Sequence, residues 1–97
     1  MLLKNGSFYY EKRLVSGDLR VTGETIAAFS PQTAGGLVPL ANEEVLELGG
    51  AAVIPAFLDI HTHGAVGVDV NAASAEDFEK LARFFARQGT GSFLCSI

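Results

Sequence analysis

Apolar and polar residues change places in short bursts through the first half of the chain and settle into longer periods in the second. In "SFYYEKRLV", residues 7–15, Phe8, Tyr9 and Tyr10 bring high β-propensity and predict a strand. In "DLRVTGETIAAF", residues 18–29, Leu19 and Val21 fall on one side and Arg20 and Thr22 on the other, the period of two of a half-buried strand. Gly23-Glu24 then permits a hairpin into the apolar residues 26–29. Turns are predicted at Asn5-Gly6 and at Ser16-Gly17-Asp18, and Pro31, Gly35, Gly36 and Pro39 mark residues 30–44 as a loop. "EVLELGG" alternates once more before two glycines. Strands this short and frequent predict a small all-β unit over residues 1–54, a β-sandwich or part of one.

From residue 51 the pattern changes. "AAVIPAFLDIHTH" is almost unbroken in apolar residues up to Asp59, as in a parallel-sheet strand buried on both faces. Pro55 lacks a backbone donor and fits only at the start of such a strand, which is placed at 56–62. Residues 64–73, with Gly64 and Gly67, read as a loop. Ser74 followed by Asp77 has the form of a capping box, and Phe78, Leu81, Ala82 and Phe85 recur at helical spacing as one apolar stripe. Glu76–Lys80 and Glu79–Arg83 are four apart on the opposite side, Arg87 suits the C-terminal end, and Gly89 stops the helix. "TGSFLCSI" is a further strand. Strand, loop, helix, strand is a βαβ unit with parallel strands. Alone it leaves apolar surface uncovered, so residues 55–97 are expected to be the start of a larger α/β domain and the chain the N-terminal piece of a larger protein.

Composition narrows the class. Of 97 residues, 48% are hydrophobic and 19% charged, a globular balance. Seven basic and eleven acidic side chains leave a net charge of -4 without a basic cluster, so no nucleic-acid partner is expected. No apolar run is long enough for a membrane span, and the N-terminus has no signal-peptide form. The single cysteine, Cys95, cannot form an internal disulfide; it fits a reducing cytoplasm and is read as a small core thiol.

The chemistry is concentrated in "DIHTHG", residues 59–64, which holds both histidines of the chain. Residues two apart on a strand share a face, so Asp59, His61 and His63 are expected on one side and Ile60 and Thr62 on the other. Two imidazoles so placed can bite one metal ion; imidazole suits zinc, iron and nickel. In (β/α)8 barrels the C-terminal ends of the strands carry the active site. His61 and His63 are therefore the candidate metal ligands. Asp59 is read as a strand-end hydrogen-bond partner, Asp69 as a loop-fixing side chain, and Gly64 and Gly67 as turn residues with backbone freedom.

"VIPAFLDIHTHG" resembles the first barrel strand of the amidohydrolase superfamily, which opens its barrel with Pro-Gly-Phe-x-Asp-x-His-x-His; Ala56 stands where that pattern has glycine. "LELGGAAVIP" is similar to the end of that superfamily's small sandwich domain. "HGAVGVDVNAAS" resembles the N-acetylglucosamine-6-phosphate deacetylases, which carry His-Gly-x-x-Gly-x-Asp after the first strand. The resemblance implies a metal-dependent (β/α)8 hydrolase that splits the N-acetyl amide of an amino sugar phosphate into glucosamine 6-phosphate and acetate. It implies a divalent metal, zinc or alternatively iron, touched by His61 and His63. It places a glutamate, two further histidines and a catalytic aspartate beyond residue 97, with no catalytic residue inside the chain. It also implies a cytoplasmic homodimer or larger homo-oligomer, and an inactive 97-residue piece. Alternatives are another amidohydrolase, dihydropyrimidinase-like or adenine deaminase-like, and a non-catalytic half-fold binding module.

Overall fold

The computed structural model describes residues 1–97, and the chain divides into two compact units, Met1–Pro55 and Ala56–Ile97. The architecture is mixed α/β, with one α-helix.

The first unit is one five-stranded sheet. Strands β1 (Leu2–Tyr10), β2 (Arg13–Thr22) and β3 (Thr25–Pro31) form an antiparallel meander. The short strands β4 (Val45–Glu47) and β5 (Ala52–Val53) add in parallel, one after the other, to the free edge of β1. The expected sandwich is thus represented by a single layer: the chain spends its last strands extending the sheet rather than facing it. Leu14, Ile26 and Leu46 are accordingly exposed. Leu2 and Phe8 are buried, and Phe8 meets Phe29 edge to face at 5.7 Å.

Two predicted turns lie inside strands. The β1–β2 reversal falls at Glu11-Lys12, both at positive φ, 48° and 65°, as a type I′ turn requires. Gly17 instead sits mid-strand opposite Pro31, where a Cβ would collide with the Ser30 carbonyl oxygen. Asn5 does take a positive φ of 53°, but at a bulge in β1. That bulge is held by Asp18, whose carboxylate accepts from the backbone N–H groups of Asn5 and Leu37 at 2.8 Å each and lies 3.4 Å from Lys4 Nζ. Burial pushes the Asp18 carboxyl up, yet those two N–H groups and Lys4 outweigh it and hold it below its ordinary value. The hairpin at Gly23-Glu24 forms as expected, with Thr22 paired to Thr25.

In the second unit β6 (Phe57–Thr62) pairs in parallel with β9 (Thr90–Cys95) through α1 (Ala75–Arg87), the βαβ arrangement read from the apolar pattern. The stretch expected as a loop contains a small hairpin, β7 (Gly64–Ala65) and β8 (Val68–Asp69), followed by a 3-10 turn over Val70–Ala72. Its reversal uses Val66 and Gly67 at positive φ. The helix begins in a complete capping box: the Ser74 hydroxyl accepts from Asp77 N–H at 3.2 Å, and the Asp77 carboxylate accepts from Ser74 N–H at 3.0 Å. At the other end Gly89, at φ 83°, donates its N–H to the Ala86 carbonyl. Glu79 and Arg83 meet at 2.6 Å, whereas Glu76 and Lys80 form no ion pair.

Leu81 is fully buried against Val68 and Val70, with Ala65, Ala73, Phe85 and Phe93 around them. Ala82, expected in the same stripe, is exposed, because α1 packs chiefly against β9 and β7. For the same reason β6 is not buried on both faces here: Phe57, Leu58 and Ile60 are 62%, 61% and 70% exposed. Cys95 is likewise exposed, not a core thiol; it pairs with Thr62 through the backbone and nothing covers its side chain.

Candidate metal site

The end of β6 is tied from two sides. The Thr62 carbonyl accepts from Ser96 N–H at 2.8 Å, continuing the β9 ladder, and the His63 carbonyl accepts from Val70 N–H at 2.9 Å. Thr62 points inward and is buried, with its hydroxyl accepting from Gly64 N–H at 3.2 Å. Alternation then sends His61 and His63 outward together. Both are exposed, and their ring centroids lie 4.9 Å apart at an interplanar angle of 84°.

The supporting residues each have a definite partner. Asp59 is half-buried, and its Oδ1 accepts from the backbone N–H of His61 at 3.0 Å, so its carboxylate serves its own strand. Asp69 Oδ1 accepts from Asn71 N–H at 2.9 Å and from Asn71 Nδ2 at 3.0 Å, capping the 3-10 turn. These donors hold the Asp69 carboxyl below its ordinary range, and the charge of His63 adds a smaller effect in the same direction. Gly64 takes φ 133° at its pairing with Asp69, and Gly67 takes φ 79° at the hairpin reversal.

Sequence reasoning missed Ser96, whose Oγ lies 2.8 Å from His61 Nδ1. Nothing in the local pattern singles it out, since only the pairing register of β6 with β9 brings residues 35 apart together.

The donor chemistry fits a divalent ion. Two imidazoles this close can turn nitrogens to one ion at the roughly 2.0–2.1 Å of zinc–nitrogen bonds, and the contact at Nδ1 leaves Nε2 of His61 for it. Two donors are half the number that a four-ligand zinc shell takes; no cluster of three or more His, Cys, Asp or Glu side chains forms in the chain. Two donors alone hold a metal weakly, and the carboxylates of Asp59 and Asp69 are engaged with backbone N–H groups. α1, at 13 residues, is the longest helix, and no helix is long and apolar enough to cross a membrane.

Proteins similar to this chain include two amidohydrolases and one dihydroorotase-like protein. N-acetylgalactosamine-6-phosphate deacetylase of Escherichia coli O157:H7 is 37% identical over 76 residues, which is 78% of this chain and 18% of that protein. A probable dihydroorotase-like protein of Helicobacter pylori is 36% identical over 69 residues, 71% of this chain and 17% of that protein. Dihydroorotase of Bacillus subtilis is 41% identical over 63 residues, 64% of this chain and 14% of that protein. The chain therefore spans less than a fifth of the length of these relatives. No family model matches the chain.

Proposed function

For a chain that belongs to the amidohydrolase superfamily and matches the N-terminal region of its members, we propose the role of first segment of a metal-dependent amide hydrolase. The observation that carries this is the His61–His63 pair, 4.9 Å between ring centroids, at the C-terminal end of a strand in a parallel β-α-β unit. In a (β/α)8 barrel that end is the catalytic face. β6 and β9 would be its first two strands, and the exposed faces of Phe57, Leu58 and Ile60 would be buried by the rest of it.

His61 and His63 would hold a divalent ion, zinc or iron. Such an ion, when bound, polarises an amide carbonyl and lowers the pKa of a water. Within the chain, the Asp59 carboxylate holds the His61 backbone N–H and the Val70 N–H holds the His63 carbonyl, while the Gly64–Asp69 hairpin fixes the segment after them. The favoured substrate is an N-acetylated amino sugar phosphate, N-acetylglucosamine 6-phosphate or its galactosamine epimer. Water oxygen bonds to the acetyl carbon, the C–N bond breaks, and the freed amine takes a proton, giving amino sugar phosphate and acetate. Support comes from the His-Gly-x-x-Gly-x-Asp run of residues 63–69 and from the deacetylase relative. A second reading, hydrolysis of a cyclic amide as in the dihydroorotases, has support from two relatives. A cytoplasmic location agrees with a single free cysteine; a homo-oligomeric state is carried by the resemblance alone.

The test is hydrolysis by the metal-loaded full-length protein, offered the two acetylated sugar phosphates and dihydroorotate. Acetate release that disappears in His61→Ala and His63→Ala is expected. Turnover of dihydroorotate alone moves the assignment to the second reading. Unchanged metal content and turnover in both histidine variants overturn the site. The 97-residue chain by itself is expected to give no turnover.

A further inference from the structure

Ser96 stands one residue past β9, half-buried, with its backbone N–H bonded to the Thr62 carbonyl at 2.8 Å. That bond fixes where its side chain can reach. Its Oγ arrives 2.8 Å from His61 Nδ1. The carboxylates nearby in sequence are engaged elsewhere: Asp59 accepts from the His61 backbone, and Asp69 from Asn71. Ser96 is therefore the group that meets this nitrogen. A metal-bound imidazole needs its other nitrogen protonated and held, because that hydrogen bond selects the tautomer and the ring orientation.

We propose that Ser96 is a positioning residue for His61: its hydroxyl oxygen accepts the Nδ1 proton and so presents an unprotonated Nε2 to a divalent metal. This rests on the reading of His61 as a metal ligand. It adds that the second strand of the unit, which supplies no ligand, sets which nitrogen of the first strand's histidine binds. The device depends on register. One residue of slippage between β6 and β9 would turn Ser96 away and bring Cys95 or Ile97 to that place.

The experiment has two readouts in the full-length protein. Long-range proton–nitrogen NMR on the metal-free protein reports the His61 tautomer. Cobalt(II) titration followed by absorbance reports affinity. Wild type is expected to show His61 protonated at Nδ1. Ser96→Ala is expected to lose that preference and bind cobalt about tenfold more weakly, the low end of losses at residues that support a metal ligand. Ser96→Thr, which keeps the hydroxyl, is expected to restore both. A wild-type His61 protonated at Nε2 overturns the proposal without any variant. So does a Ser96→Ala protein with unchanged tautomer and affinity while His61→Ala binds weakly; in that case His61 remains a ligand and only the positioning role falls. Unchanged cobalt affinity in His61→Ala removes the metal reading and this proposal with it.

Discussion

Gly64 and Val68 face each other so closely across the β7–β8 hairpin that a Cβ on Gly64 would collide with the Val68 carbonyl oxygen. Gly64 also takes φ 133°, which side chains other than glycine rarely adopt. It directly follows His63, so displacement here moves a candidate ligand. Gly64→Ala is expected to destabilise the protein by about 2 kcal/mol or more and to weaken metal binding. Gly67→Ala, at φ 79° with open space around it, is expected to cost about 1 kcal/mol and to leave metal binding intact. Urea unfolding and cobalt titration of the two variants check the contrast; equal effects would discard it.

Glu43 receives Arg20 through both its oxygens, at 2.7 and 3.0 Å, and also accepts from Leu40 N–H at 2.9 Å. The Arg20 guanidinium, then the Leu40 N–H, lower the Glu43 pKa from 4.5 to about 2. A carboxyl depressed in the folded state stabilises above its unfolded pKa, and the gain is lost as pH falls through the folded one. Stability from this pair should therefore be complete above pH 4.5 and vanish as pH falls to about 2. Unfolding midpoints of wild type and Glu43→Gln are expected to differ at pH 6 and converge near pH 2. A constant difference across that window would exclude this source.

Leu81 has no exposed surface and joins the helix to Val68 and Val70. Leu81→Ala should cost about 2–5 kcal/mol, the range for a buried leucine whose cavity does not collapse. In a unit with so few buried side chains, that loss should unfold residues 56–97 at lower denaturant than the first unit. Hydrogen exchange resolved by residue would show β6, β9 and α1 losing protection together. Protection retained in α1 would contradict it.

The Ser74 hydroxyl satisfies a backbone donor at the start of α1. Ser74→Ala is expected to cost about 1 kcal/mol and Ser74→Gly only a few tenths. Thermal or urea unfolding separates the two; an alanine variant as stable as wild type would show that the cap carries no weight.

How much was legible depended on distance along the chain. The helix was readable because its signals, from Ser74 and Asp77 to Gly89, lie within a few residues of the bonds they make. The turns were less so: Asn5-Gly6 and Ser16-Gly17-Asp18 carry turn residues, yet the sheet uses one for a bulge and the other for close approach of strands. The reversal lies at Glu11-Lys12, both at positive φ, where Tyr10 pairs with Arg13.

By itself the sequence determined the pairing of His61 with His63, since the period of two in an extended chain puts alternate side chains on one face whatever surrounds them. It also determined the strand–helix–strand order and the superfamily to which the residues belong. Only the tertiary structure decided what holds those histidines. Ser96 against His61 and Val70 against the His63 carbonyl are contacts between segments distant or folded back in the chain. They exist because strand register and hairpin geometry are selected by the summed pairing and burial of whole elements, a quantity no local stretch of residues contains.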